Sequence, residues 1–132
     1  MIGVDTNILV RLFVADDKNQ AAKARAFLSR RTVEDPAYVS VVTLIELMWV
    51  LKRGYGYKRD GQLTVLQAFL ESANVVLEHE GAVRVIVEQH ADTSVDLADI
   101  LIAETSRMAG CTSLVTFDKP ASKLVNGMDL LT

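Results

Sequence analysis

The chain has 132 residues, half of them hydrophobic, which suits one globular domain and excludes a disordered or low-complexity segment. Its formal net charge is −3, so it lacks the basic excess typical of nucleic-acid-binding domains, and an anionic partner would need local cations or metal ions. The single cysteine, Cys111, excludes an intramolecular disulfide. With no signal-peptide pattern and no apolar run long enough to span a bilayer, we expect a soluble, cytoplasmic protein.

Apolar runs alternate with segments of helical periodicity along nearly the whole chain. The predicted strands are 1–5, 37–40, 74–77, 113–116 and 128–131. The predicted helices are 7–14, 18–31, 42–53, 59–72, 82–90 and 97–108. Apolar strands that are separated by helices are typical of a parallel sheet covered on both faces. We therefore expect a single domain, 1–132, with a three-layer α/β/α fold and a central, mainly parallel sheet of four to five strands.

Acidic residues interrupt the apolar pattern at positions that such a sheet would bring towards one edge. Asp5 ends the first predicted strand and Asp118 follows the fourth, while Glu46 and Asp99 are single acids in otherwise apolar helical turns. In parallel α/β sheets, functional groups collect beyond the carboxyl ends of the strands. Like charges gathered there would repel one another unless protons or cations neutralised them. Oxygen ligands without histidine or cysteine favour Mg²⁺ or Mn²⁺.

Each acid also has a purely structural explanation. The alternatives are an N-cap for Asp5 and for Asp96, a capping box (Thr43-x-x-Glu46) for Glu46, and an ordinary turn for Asp118. Separate caps would not explain why all these acids border apolar surface at one end of one sheet. We therefore favour a shared cation site.

The segments around the acids carry a resemblance to a known family. They are Val4-Asp5-Thr6-Asn7, the helix with Glu46, Asp96-Leu97-Ala98-Asp99 and Thr116-Phe117-Asp118-Lys119. In this order and spacing they resemble the motifs of PIN-domain ribonucleases, and most closely those of the VapC-type toxins of bacterial toxin–antitoxin systems. The resemblance extends over essentially the whole chain.

This resemblance implies a metal-dependent endoribonuclease that cleaves RNA phosphodiester bonds with metal-activated water. The implied catalytic residues and metal ligands are Asp5, Glu46, Asp99 and Asp118, which would hold one or two Mg²⁺ or Mn²⁺ ions. Supporting positions beside the ligands are implied for Thr6, Asn7 and Thr116, and we place Asp96 with them, as a cap or a support. The implied partners are a transfer or ribosomal RNA substrate, a cognate antitoxin protein and a second copy of the chain in a homodimer.

A basic and aromatic stretch follows the third predicted helix. Cations hold phosphates, and aromatic rings beside them stack exposed bases. The candidate RNA contacts are therefore Lys52, Arg53, Tyr55, Tyr57, Lys58 and Arg59, with Arg11 as a further candidate near Asp5. The alternative is a solvated corner between two helices. His79 and His90 lack ligand-like spacing, and we expect them at the surface.

Two further interpretations stay open. Trp49, Leu51 and Tyr55 are candidate contacts for an antitoxin, although for Trp49 we favour core packing, because large aromatic side chains are mostly buried. The function itself has alternatives: a catalytically silent PIN-like module that binds RNA or protein, or an aspartyl-phosphate phosphatase or receiver-like domain with Asp5 as acceptor. The second is disfavoured because Asn7 stands where such phosphatases place another aspartate.

Overall fold

The computed structural model describes residues 1–89 and 94–132. The chain forms two compact units, Met1–Glu80 and Gly81–Thr132, each of which has its own strands and helices. His90, expected at the surface, lies outside the described residues. Within the described ranges, none of the helices combines the length and the apolar run that a bilayer crossing requires.

The first unit contains a three-stranded parallel sheet. Its elements are β1 (Ile2–Gly3), α1 (Thr6–Phe13), α2 (Lys18–Ser29), β2 (Ala37–Val39), α3 (Val41–Tyr55), α4 (Arg59–Glu71) and β3 (Val75–Leu77). The strand order is β1-β2-β3, with Ile2 opposite Ala37 and Ala37 opposite Val75. Because the strands run in parallel, the carboxyl ends of β1 and β2 lie on the same side of this sheet, and α1 and α3 begin there.

The second unit contains a two-stranded parallel sheet. Helix α5 (Glu80–Gln89) starts at the boundary and is followed by α6 (Leu97–Met108), β4 (Leu114–Thr116), α7 (Lys119–Leu124) and β5 (Met128–Leu130). Leu114 lies opposite Met128, and α7 makes the crossover between the paired strands. The five strands in residues 1–89 and 94–132 all pair in parallel, so the predicted α/β fold is confirmed.

Two elements differ from the sequence prediction. Strand β1 is shorter than predicted and is not buried: Ile2 is 42% exposed, because β1 is the edge strand of the three-stranded sheet. Helix α7 was not predicted, since Asp118-Lys119-Pro120 resembles a turn. Proline is tolerated in the first turn of a helix, where its missing N–H costs no hydrogen bond, and Asp118 caps the helix in front of it.

Helix α3 forms the centre of the first unit. Leu44, Leu47, Met48 and Leu51 recur at helical spacing and are almost completely buried. The start of the helix is fixed from β3, because the Glu78 carboxylate that follows this strand accepts from Val41 N at 2.9 Å and from Tyr38 Oη at 3.0 Å. The bond from Val41 N, and after it that from Tyr38, lowers the pKa of Glu78. Helix α3 is therefore held both by its apolar stripe and by a charged anchor.

Candidate active site

Two of the predicted acids line one cavity in the first unit. The cavity measures about 230 Å³, and its wall includes Asp5 and Glu46 together with Thr6, Asn7 and Arg11. Asp5 arrives there because it ends the β1 segment, and Glu46 because α3 begins beside it at the same sheet edge. The structure thus brings together half of the predicted ligand set.

Asp5 is the N-cap of α1. Its backbone is extended, and its Oδ1 accepts from Thr6 N at 2.8 Å. Asp5 is therefore an N-cap, as the structural alternative predicted. The capping bond uses only one carboxylate oxygen, so the other oxygen can still bind a cation. Thr6 is only 5% exposed, whereas Asn7 is exposed and lines the cavity.

Glu46 is not part of a capping box. The N-cap of α3 is Ser40, whose Oγ accepts from Thr43 N at 3.1 Å, so Thr43 lies inside the first turn. Glu46 stands a turn further along, outside the buried stripe, and is exposed. No helix-end role accounts for it, and this strengthens the interpretation of Glu46 as a site residue.

The other predicted acids belong to the second unit. Asp118 follows β4, is exposed and caps α7, with its Oδ1 accepting from Ala121 N at 3.0 Å. Thr116 supports this turn, because its Oγ1 accepts from Asp118 N at 3.0 Å. Asp96 occupies the N-cap position of α6 and Asp99 its first turn, where Asp99 N donates to the Asp96 carbonyl at 3.1 Å.

The donor chemistry of the first-unit cavity fits a hard cation. Carboxylates, a threonine hydroxyl and an asparagine amide offer oxygen ligands, which Mg²⁺ and Mn²⁺ prefer. No group of three or more histidine, cysteine or acidic side chains forms a ready-made metal site within residues 1–89 and 94–132. The four-acid site therefore stays a prediction, with Asp5 and Glu46 as the pair that shares a cavity.

A larger cavity of about 650 Å³ lies on the other side of α1, between α1 and α2. Asp5, Asn7 and Arg11 belong to its wall as well as to that of the smaller cavity. Its other walls are mixed: Ile8, Ala24 and Phe27 are apolar, while Gln20 and Lys23 are polar or charged. These two cavities therefore share a wall that carries one acid and one cation.

Arg11 is held in that wall by hydrogen bonds with Asp16, Gln20 and Tyr55. Its Nη1 donates to Asp16 Oδ1 at 2.6 Å, and its Nε donates to Gln20 Oε1 at 2.8 Å. Tyr55 Oη donates to the second oxygen, Asp16 Oδ2, at 3.0 Å and lies 3.4 Å from Arg11 Nη1. The bond with Tyr55, and after it the charge of Asp16, raises the pKa of Arg11, so its guanidinium stays charged.

Sequence reasoning missed Asp16 in this role. Either of the adjacent acids Asp16 and Asp17 could cap α2, and the cap is Asp17, whose Oδ1 accepts from Gln20 N at 3.0 Å. The available signal was that two adjacent acids precede a helix that needs only one cap. An arginine at the end of an otherwise apolar helix is the natural partner for the other acid.

The basic and aromatic stretch divides into parts with different surroundings. Tyr55 joins the Arg11 network, and the half-buried Tyr57 donates to the Phe13 carbonyl at 3.4 Å. The Arg53 guanidinium lies 3.8 Å from the centre of the Trp49 ring. Of the cations, Lys52, Arg53 and Lys58 are exposed and Arg59 is half-buried.

The expectation of core packing for Trp49 is wrong. Trp49 is 47% exposed, because the buried stripe of α3 leaves it on the outer face, where Arg53 covers its ring. Leu51, in contrast, belongs to that stripe and is completely buried, so it is not available to a protein partner. The expectation for His79 is confirmed, since it is exposed.

Comparison with known proteins gives a family. A protein-family model described as the PIN domain matches residues 2–125, which is nearly the whole chain. No curated protein matches the sequence.

Proposed function

This chain belongs to the PIN-domain family, a nuclease-type α/β fold that generally uses divalent metal ions, and from this membership we propose that it is a Mg²⁺- or Mn²⁺-dependent endoribonuclease. The observation that carries the proposal is that Asp5 and Glu46 line one cavity beside Thr6 and Asn7. Both carboxylates are exposed and line the same cavity, and the side chains around them are mainly oxygen donors, which suit a hard divalent cation.

The proposed ligands are Asp5, Glu46, Asp99 and Asp118, with Thr6, Asn7, Asp96 and Thr116 in support. A bound divalent ion supplies a nucleophile from water at neutral pH and neutralises the charge on the leaving oxygen. The protein itself fixes the carboxylates: Asp5 by the α1 cap, Glu46 by the rigid α3, and Asp118 by Thr116 and the α7 cap. Arg11 offers a permanent positive charge next to Asp5 for a phosphate.

The direct test is metal binding and RNA cleavage by purified protein. We expect calorimetry to show binding of Mn²⁺ or Mg²⁺, and total RNA to be cut with either ion and not in a chelator. Asp5→Asn and Glu46→Gln should each lower cleavage by at least about 100-fold and weaken the metal isotherm. The absence of cleavage with either metal, together with an isotherm that Asp5→Asn leaves unchanged, would overturn the proposal.

Glu71 provides a matched control for Glu46. It is an exposed glutamate at the end of α4, bonded to Gln67 Nε2 at 2.7 Å, and it lines neither cavity. Glu71→Gln removes the same charge by the same isosteric change, so it should leave cleavage and metal binding intact. RNA binding without cleavage, with an intact fold, would instead favour a silent RNA-binding module.

We propose further that this nuclease is the toxin of a type II toxin–antitoxin system that acts in the cytoplasm as a homodimer. The proposal rests on the resemblance of its acidic motifs to VapC-type toxins, and the free, exposed Cys111 is compatible with a reducing compartment. Induced expression should arrest growth, Asp5→Asn should relieve the arrest, and co-expression of a small protein from the adjacent reading frame should do the same. Normal growth with demonstrably active protein would contradict the toxin assignment.

The RNA contacts remain part of the proposal. Arg11 and Tyr55 line the cavity that contains the acid pair, which supports them most directly. Transfer or ribosomal RNA is the expected substrate class. The remaining proposed contacts at the α3–α4 corner are Lys52, Arg53, Tyr57, Lys58 and Arg59.

A further inference from the structure

Arg11 is held more firmly than a surface arginine needs to be. A flexible arginine loses side-chain entropy when it is fixed, and most exposed ion pairs return little stability for that cost. Here three side chains from outside its own helix accept hydrogen bonds from it: Asp16 before α2, Gln20 in α2 and Tyr55 at the end of α3. The side chain of Arg11 is only 21% exposed, although it belongs to the walls of two open cavities.

The bonding pattern of the network also leaves part of the guanidinium for a ligand. Asp16 uses both of its oxygens, one for Arg11 and one for Tyr55, so each carboxylate oxygen already has a partner within the protein. Arg11 uses Nε and Nη1, and among the residues that the structure describes none accepts from Nη2. An arginine that is fixed through one edge and has further donors is well suited to bind a phosphate oxygen.

The position of Arg11 indicates which phosphate it would bind. Arg11 lines the cavity that contains the acid pair and also the larger cavity, whose walls from α1 and α2 include Ile8, Phe27 and Lys23. Because Arg11 lines both cavities, a single RNA strand bound at the acid pair and continuing into the larger cavity would pass Arg11. The apolar surface beyond offers a place for a base and Lys23 a second charge.

We propose that Asp16 and Tyr55 are positioning residues, which hold the Arg11 guanidinium so that it binds the RNA phosphate next to the scissile bond. The inference rests on the proposed ribonuclease function and adds a positioning role to that site. It predicts that removal of an acidic residue lowers RNA affinity, which is the opposite of the usual effect. Removal of an acid near an RNA site ordinarily increases RNA affinity, because repulsion falls. Loss of Asp16 should decrease it, since Arg11 is then no longer held in place.

The neighbouring Asp17 makes the matched control. Asp16→Asn and Asp17→Asn change the net charge equally, one position apart, and asparagine keeps the N-cap at 17. We expect Asp16→Asn to raise KM for a single-stranded RNA of mixed sequence by about tenfold, with kcat changed less than about threefold. Tyr55→Phe, which keeps the ring, should raise KM in the same direction, and Asp17→Asn should leave KM unchanged or slightly lower.

A double-mutant cycle tests whether Asp16 acts through Arg11. Arg11→Gln should raise KM at least as much as Asp16→Asn, and Asp16→Asn should add nothing in the Arg11→Gln background. Fluorescence anisotropy of a labelled RNA oligonucleotide in chelator measures affinity without cleavage, and thermal melts confirm that each variant is folded.

The outcomes separate this inference from the proposed function. If the wild type cuts RNA with metal, but Asp16→Asn and Asp17→Asn have equal KM, the positioning role is wrong and the nuclease function stands. Additive effects of Arg11→Gln and Asp16→Asn would likewise overturn it. A wild type that binds RNA without cutting it, with the network variants still ordered as predicted, would overturn the nuclease function alone. A wild type that binds no RNA overturns both.

Discussion

Asp118 has a structural and a proposed chemical role that two substitutions can separate. It caps α7 through Ala121 N, and it is also a proposed metal ligand. Asn is as good an N-cap as Asp but carries no charge. We expect Asp118→Asn to change the free energy of unfolding by only a few tenths of a kcal/mol and to lower RNA cleavage by at least about 100-fold. Asp118→Ala should lose cleavage and also about 0.5–2 kcal/mol of stability.

Chemical denaturation and cleavage assays on the two variants check this prediction. Asp17 serves as the reference, since it caps α2 by a similar bond, to Gln20 N, but is not a proposed ligand. Asp17→Ala should cost stability in the same range and leave cleavage intact. Full activity in Asp118→Asn would remove Asp118 from the site.

For single residues, the sequence was sufficient to identify candidate acids but not the side chains that surround them. It identified Asp5 and Glu46, which do share a cavity, because acids in apolar segments are conspicuous in sequence. The Arg11–Asp16–Tyr55 network could not be predicted in the same way, because Tyr55 lies 39 positions from Asp16 and only the packing of three helix ends brings them together. The prediction of a buried Trp49 was wrong because it relied on the average burial of tryptophan, whereas Trp49 lies outside the buried stripe of α3.

Two glycines near the corner between α3 and α4 should respond to alanine substitution with opposite changes in stability. A Cβ at Gly54 would have only Val50 Cγ1 nearby, at 3.9 Å, whereas a Cβ at Gly61 would lie 2.9 Å from the Tyr57 ring. That ring is pinned, because Tyr57 Oη donates to the Phe13 carbonyl. Gly54→Ala should therefore stabilise the protein by about 0.5–1 kcal/mol through helix propensity. Gly61→Ala should destabilise it by about 1–3 kcal/mol despite the same gain in propensity.

Thermal or urea melts of the two alanine variants check this pair. Tyr57→Ala combined with Gly61→Ala provides the control. Once the ring is removed, the Gly61→Ala substitution should stabilise the protein relative to Tyr57→Ala alone. Equal stabilisation by both single substitutions would show that Tyr57 is not fixed at this corner.

Among the elements, helices were predicted more accurately than strands. The stripe of α3 and the ends of α4 and α6 follow from periodicity, which persists over several turns. The strands have only two or three residues each, too few for a pattern to define their ends. Helix α7 escaped prediction because its six residues contain a proline and no apolar repeat. Parallel pairing could be inferred from the alternation of element types, whereas the exposure of β1 could not, since it depends on which strand lies at the edge.

The net charge of −3 means that any RNA affinity must come from local cations or bound metal. Arg11→Gln and Arg25→Gln lower the net charge equally, but Arg25 is an exposed residue of α2 that lines neither cavity. If Arg11 contacts a phosphate, Arg11→Gln should make the slope of log K against log salt shallower by about 0.7, the value for one phosphate of a single strand. Arg25→Gln should leave the slope unchanged.

Anisotropy titrations of the labelled RNA between about 50 and about 200 mM KCl measure both slopes. An equal change in the two variants would mean that RNA responds to the overall field of the molecule rather than to this arginine. This outcome would also remove the main support for a defined strand path.

The Glu78 anchor makes the protein sensitive to acid at a point distant in sequence from its acidic motifs. Glu78 holds the first residue of α3, and that helix carries Glu46. Because the folded state lowers the pKa of Glu78, its contribution to stability is present above the unfolded value near 4.5 and is lost as the pH falls through the folded value. Glu78→Gln should therefore melt earlier than the wild type at pH 7 and lose this part of the acid dependence, which melts between about pH 3 and about pH 7 would show. Protonation of Glu78, which lies outside the cavity, would then weaken the bond to the first residue of α3, the helix that carries Glu46. Loss of activity in acid would therefore begin with loss of structure at the start of α3 and not with protonation of the proposed ligands.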